Sequence, residues 1–318
     1  MELFPLLANN ELEQFKNIVL NTPNLDINIQ NEKKETLFYR ACIEGQTDIV
    51  QFLLNVKGIN VNEPDFELCS PFYVACKFDQ VEVVKILLEE PRVDVNQIRD
   101  LGHTPFCVSC SHGRLGVIKL LLETKRDIDM NTPMGEGGTP LYMACQEGHT
   151  EIVKLLLKDK RIEFRNETPT PFFIACQQEH LEIVHLFLQD DRTDVNQGDS
   201  EDATPFFIAC QNGVIELVKI LLQSDRNIDI YKSWKGIRSP LQQAELMQTL
   251  QKQYWETEEE VEKRVKNCAE IVKIFRNYEA NPQVAKFKFR KELGILNSLA
   301  SQIFSLAVLI TDDYFRFQ

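Results

Sequence analysis

Apolar and polar positions along the chain follow a pattern that starts over about every 34 residues. In its clearest copy an apolar block, Pro140-Leu141-Tyr142-Met143-Ala144-Cys145, leads into a polar turn, Gln146-Glu147-Gly148-His149. A second block, Ile152-Val153-Lys154-Leu155-Leu156-Leu157, then sets apolar side chains three and four apart with a cation between them. That spacing lays one apolar stripe along a helix. The first block opens on Thr139-Pro140, where a hydroxyl can cap free N–H groups and proline fits the first helical position. Each copy is therefore predicted to hold two short helices, followed by an extended polar stretch such as Val93-Asp94-Val95-Asn96.

The opening phrase recurs at Thr36, Ser70, Thr104, Thr139, Thr170, Thr204 and Ser239, in steps of 34, 34, 35, 31, 34 and 35 residues. A period in that range marks a stacked repeat array. The first helix is predicted to stop near Gly45, Gly113, Gly148 and Gly213, because a left-handed helix end suits glycine. Asp79 and Glu179 hold that place in two copies, and their turns should be less comfortable.

The pattern resembles the ankyrin repeat, whose units read TPLHxA, a Gly-His turn, E-I-V-K-x-L-L and a D-V-N exit. Thr139-Pro140-Leu141, Ala144, Gly148-His149 and Glu151-Ile152-Val153-Lys154-Leu155-Leu156 follow it closely, and Asp94-Val95-Asn96 and Asp194-Val195-Asn196 supply exits. The resemblance implies an all-α solenoid of helix–turn–helix units, with hairpin-like fingers along one edge and a helical C-terminal cap. The family's His is replaced by Tyr39, Tyr73, Cys107, Tyr142, Phe173, Phe207 and Gln242, so packing by larger rings is expected to substitute for its hydrogen bonds. Fingertip glycine survives mainly at Gly102 and Gly137. The step of 31 residues predicts a blunted finger and a notch near Arg161–Thr168.

Residues 1–35 read as a degenerate capping repeat built on Leu3, Leu6, Leu7, Leu12, Phe15, Ile18 and Val19, and 36–238 as six repeats. Residues 239–280 form a final repeat with a helical insertion at about 246–266, since Glu270 follows Ser239 by 31 residues whereas Glu151 follows Thr139 by 12. Thr257 and Glu260 make a capping box for a new helix there. Residues 281–318 read as a cap or tail: over Ala285–Leu293 strict alternation argues for a strand and Gly294 as a stop argues for a helix, the preferred reading, and Ser298–Ile310 reads as a helix.

Charge and composition narrow the function. The formal net charge of −13, from 48 acidic and 35 basic residues, opposes phosphate backbones and argues against nucleic acid. Six of the nine cysteines, Cys42, Cys76, Cys110, Cys145, Cys176 and Cys210, share one small-residue slot, which reads as free thiols in a reducing, cytoplasmic or nuclear compartment. The N-terminus has neither the basic start nor the cleavage site of a signal peptide. Cys107, Cys110, His103 and His112 have the composition of a zinc site, but Cys110 fills the packing slot and Cys107 the tyrosine slot, so no metal is expected. No phosphate-binding glycine loop and no Ser, His and Asp set stands outside repeat positions, so neither cofactor nor catalysis is expected. Arg92, Arg126, Arg161, Arg192 and Arg226 each follow a second helix, where a cation complements the negative helix end.

What remains is a non-enzymatic scaffold, monomeric alone, that binds a protein or peptide. The resemblance places its contacts on the concave face and finger edge. Carried onto this chain, the helix-end positions include Lys77, Phe78, His112, Gln146, Glu147, Gln177, Gln178, Gln211 and Asn212. The fingers offer Asp65, Phe66, Leu101, Met134, Glu136 and Trp234, with Phe66, Phe78 and Trp234 as solvent-side anchors. Two alternatives are a membrane-peripheral scaffold whose basic-aromatic run Lys286–Lys291 and Ser298–Ile310 helix contact anionic lipid, and a regulatory subunit of an enzyme complex acting through the insertion and tail.

Overall fold

A computed structural model of the chain describes residues 3–135, 138–164, 169–252 and 256–293, with Leu101 as backbone alone. The chain divides into two units, Met1–Glu163 and Phe164–Gln318. The division falls inside the segment where the repeat step is short. Residues 165–168, the second half of the Arg161–Thr168 stretch on which the blunted finger was expected, lie outside the described residues, as do Glu136, Gly137, Gly294 and the Ser298–Ile310 stretch.

Among the described residues the first unit holds ten α-helices: α1 (Leu3–Ala8), α2 (Leu12–Asn21), α3 (Leu37–Glu44), α4 (Thr47–Leu54), α5 (Pro71–Lys77), α6 (Val81–Glu89), α7 (Pro105–Ser111), α8 (Leu115–Glu123), α9 (Pro140–Gln146) and α10 (Thr150–Lys158). First helices pack on first helices in the order α1, α3, α5, α7, α9, and second helices in the order α2, α4, α6, α8, α10. The second unit holds α11 (Pro171–Gln177), α12 (Leu181–Leu188), α13 (Pro205–Gln211), α14 (Ile215–Gln223), α15 (Pro240–Thr249), α16 (Glu258–Ala280) and α17 (Pro282–Glu292).

Local chemistry sets the helix starts. Thr36, Ser70, Thr104, Thr139, Thr170, Thr204 and Ser239 each accept a hydrogen bond from the backbone N–H three residues on. Such a cap is worth about 1 kcal/mol. The turn after each first helix is left-handed, at Gly45, Gly113, Gly148 and Gly213 and equally at Asp79 and Glu179, both with φ of 60°. At Gly45 the backbone angle, φ of 72°, is what calls for glycine, while an added Cβ would meet only the movable tip of the Gln80 side chain of the next repeat. The six slot cysteines are fully buried, and burial pushes the thiols of Cys42, Cys76, Cys110, Cys176 and Cys210 upward, which leaves those five as neutral packing groups.

Three polar ladders bind repeat to repeat. The exit asparagines clamp the next exit: Asn62 Nδ2 donates to Arg92 O and Asp94 N donates to Asn62 Oδ1, both at 2.8 Å. Asn28, Asn96 and Asn131 do the same in the first unit and Asn196 in the second. The turn residues reach back to the preceding first helix: Gln80 Nε2 to Ile43 O (2.8 Å), Arg114 Nε to Lys77 O (2.8 Å) and His149 Nε2 to Ser111 O (3.0 Å). The arginines also reach back. Arg92 bonds Leu54 O, Arg126 bonds Glu90 O and Val93 O, Arg161 bonds Leu122 O and Arg226 bonds Asp190 O. They therefore cap the helix of the preceding repeat, where the sequence had suggested their own.

The tyrosine substitution is also more than packing. Tyr39 is buried, and its hydroxyl donates to Asp65 Oδ2 at 2.7 Å, joining α3 to the next finger. Burial first, and the Asp65 carboxylate second, push that phenol far above its ordinary range.

In the final repeat the extra residues lengthen both helices. α15 has 10 residues where α13 has 7, and α16 has 23 where α14 has 9. Thr257 and Glu260 form the capping box at the start of α16. Arg264 holds the intervening loop, pairing with Glu256 at 2.8 Å and donating to Leu250 O and Met247 O. α17 packs on α14 and α16 through Ala285 and Phe289. Lys286 Nζ donates to Ser224 O at 2.9 Å and Arg290 Nη2 to Gln223 O at 3.0 Å, so α17 takes the place that a following repeat's arginine would have.

Candidate partner-binding surface

Short backbone hydrogen bonds close each finger: Asn31 N to Glu35 O, Asp65 N to Cys69 O, Arg99 N to His103 O, and a two-way bridge between Met134 and Gly138. In the second unit the equivalents are Asp199 N to Ala203 O and the bridge between Trp234 and Arg238. These turns fix which side chains point outward.

In the first unit Phe66 is 58% exposed and Phe78 47% exposed. Phe78 ends α5, in which every earlier side chain from Pro71 to Cys76 is buried, and the Lys77 ammonium lies 5.7 Å from its ring centre. His112 is bound back to Val108 O at 3.1 Å through Nδ1, and burial lowers its pKa, which favours the neutral ring. Gln146 donates to Glu147 at 3.1 Å, and Met134 is half-buried in the finger bridge. Leu101 lies in a one-turn 3₁₀ helix, Asp100–Gly102. Asp65 is not available to a partner: it is 8% exposed and accepts from Tyr39, Glu67 N and Cys69 N.

In the second unit Gln177, Gln178 and Asn212 are exposed and Gln211 half-buried. Trp234 departs from the expected solvent-side anchor. It packs on a buried cluster of Phe173, Ala203, Phe207 and Ile208, with its ring 6.1 Å from that of Phe207. Its Nε1 donates to Glu201 at 3.1 Å, and Lys235 pairs with the same carboxylate at 2.7 Å, which holds the Glu201 carboxyl below its usual range. Trp234 is a staple between fingers.

Sequence reading missed Leu68, Ile98, Tyr231 and Ile237, all more than half exposed. One signal was present: Leu68 stands at a fingertip place that Gly102 fills one repeat later, a place with positive φ. Among the described residues no group of three metal-ligating side chains converges, and no helix is long and apolar enough to cross a membrane.

The family described as "Ankyrin repeats (3 copies)" matches residues 6–99, 91–168 and 160–233. The chain belongs to the ankyrin repeat family. The solved ankyrin repeat domain of human ASB11 is similar over 71% of this chain and 96% of its own length, with 22% identity and a TM-score of 0.54. That likeness speaks for the fold alone. No curated protein matches the chain. Ankyrin repeats are in general protein-interaction modules, and the ladders above are the means by which this ankyrin chain keeps its variable positions in fixed places.

Proposed function

We propose that the chain is a non-enzymatic scaffold that binds a protein or peptide along the fingers and first-helix ends of its repeats. The observation that carries this reading is Phe78: a large aromatic ring, 47% exposed, at the end of a helix whose side chains from Pro71 to Cys76 are buried. Aromatic groups of that kind dominate the energetics of interfaces. The membrane-peripheral alternative is weakened by the use of Lys286 and Arg290 as helix caps.

The test compares wild-type chain with Phe78→Ala in affinity capture from the native cell, with each captured protein then purified and its affinity measured. The reading expects at least one purified partner whose binding drops tenfold or more in Phe78→Ala while the melting temperature stays put. Partners bound equally by both proteins would remove Phe78 from the interface. Turnover of a small-molecule substrate by the purified chain would overturn the scaffold reading itself.

A further inference from the structure

Three neighbouring fingers of the first unit are tied into one strip. Phe66 N donates to Lys33 O at 3.1 Å, linking the second finger to the first. Arg99 Nε donates to Glu67 O at 3.2 Å, with its Nη2 3.3 Å from the Glu67 carboxylate, linking the third finger to the second. Along this strip Phe66, Leu68 and Ile98 are 58%, 54% and 53% exposed.

Leu68 is the informative member. Its φ is +63°, in the left-handed region that disfavours a side chain, and the equivalent place one repeat on is Gly102. A leucine there is opposed by its backbone and leaves more than half of its surface in water. Residues held against their local preference, with apolar surface turned to water, mark sites of recognition.

Charge also changes sign along the strip. At the first finger Lys33 and Lys34 are exposed, neither ammonium has an ion-pair partner among the described residues, and Glu32 is the carboxylate beside them. In the middle Glu67 is neutralised by Arg99. At the third finger Asp100 is exposed, 3.2 Å from the same Arg99. Beside Lys33 a groove of about 490 Å³ opens between α1 and the first finger, lined by Phe4, Pro5 and Ala8 among others.

We propose that fingers one to three are a docking strip for an extended peptide segment whose acidic end lies on Lys33 and Lys34 and whose bulky apolar side chains lie on Phe66, Leu68 and Ile98. This rests on the scaffold reading and names the chemistry of the partner. The cations select and orient the acidic end, and the apolar strip supplies contact area.

The test uses the full chain and a displayed library of random twelve-residue peptides, followed by affinity measurements on synthesised binders. Selected peptides should carry Asp or Glu on one side of two or more large apolar residues. Leu68→Gly should weaken them at least tenfold with an unchanged or raised melting temperature, a combination that a merely structural leucine would not give. Lys33→Glu with Lys34→Glu should reverse the preference between an acidic peptide and its lysine-substituted twin. Binders insensitive to Leu68→Gly and Phe66→Ala but weakened by Phe78→Ala would overturn the strip and leave the scaffold reading standing. A selection that retains no peptide would count against both.

Discussion

Arg92 Nη2 donates to the carbonyl oxygen of Leu54 at 2.8 Å, although the two residues stand one full repeat apart. Glu90 holds the guanidinium in place, accepting from Arg92 Nε at 2.9 Å and Nη2 at 2.8 Å. The pair thus links the end of one second helix to the end of the next. Asp159 with Arg161 repeats the device onto Leu122.

Replacing Arg92 by alanine removes a charged donor from a helix C-terminus. The expected loss is about 1.5–2 kcal/mol, since hydrogen bonds to charged groups exceed neutral ones. Urea denaturation followed by circular dichroism measures it. A loss below about 0.3 kcal/mol, the level of an ordinary surface change, would mean that the arginine ladder is incidental.

The same pairs make stability depend on acid. Hydrogen bonding to Arg92 is the chief reason that the Glu90 carboxyl is held down to about 2, below its ordinary 4.5. Asp159 and Asp190 are lowered too, by Arg161 and Arg192. A lowered folded pKa gives stability that is complete above the unfolded value and is lost as pH falls toward the folded one. Melting temperature should therefore drop between pH 4.5 and about 2. Glu90→Gln should start lower at neutral pH and fall less steeply over that window. Parallel curves for the two proteins would contradict the linkage.

Asn96 is the clearest clamp between exits, donating to Asp127 O at 2.7 Å and accepting from Asp129 N at 2.9 Å. Asn96→Ala should cost about 2 kcal/mol, the sum of two neutral hydrogen bonds. It should also speed hydrogen exchange at the Asp129 amide. Unchanged protection of that amide would show that the clamp is not holding the loop.

Glu179 has φ of +60° in the turn after α11, where glycine serves elsewhere. Glu179→Gly should stabilise the chain by about 0.5–1 kcal/mol, the left-handed penalty less the extra freedom that glycine gives the unfolded chain. A lower melting temperature in the variant would mean that the glutamate has a compensating role.

Trp234 and Phe78 should part company under alanine substitution. Trp234→Ala removes the ring packed on Phe207 and the bond to Glu201, and should cost about 2 kcal/mol. Phe78→Ala should change stability by no more than about 0.5 kcal/mol. Two equal melting temperatures would refute the distinction drawn between staple and exposed anchor.

The helices were legible because their causes are local. Thr139-Pro140 caps and starts a helix by itself, and the stripe of Ile152, Val153 and Leu156 is written within one turn or two. Less legible was anything that depends on the neighbouring repeat. The charge of Arg92 announced a helix end, but only stacking decides that the end belongs to Leu54. Trp234 looked like a free aromatic until the fold brought Phe207 beneath it. Leu68 was passed over, since neither its left-handed backbone angle nor its exposure is written in composition.

Lys286 and Arg290 occupy the carbonyls that a further repeat would need for its own attachment. Growth by tandem duplication after α14 is thereby closed off unless α17 gives way, whereas every joint among α3 to α10 offers the same clamps and admits another copy. The regular arginine ladder thus stops at the end of α14, and another regular unit could attach to those carbonyls only by displacing α17.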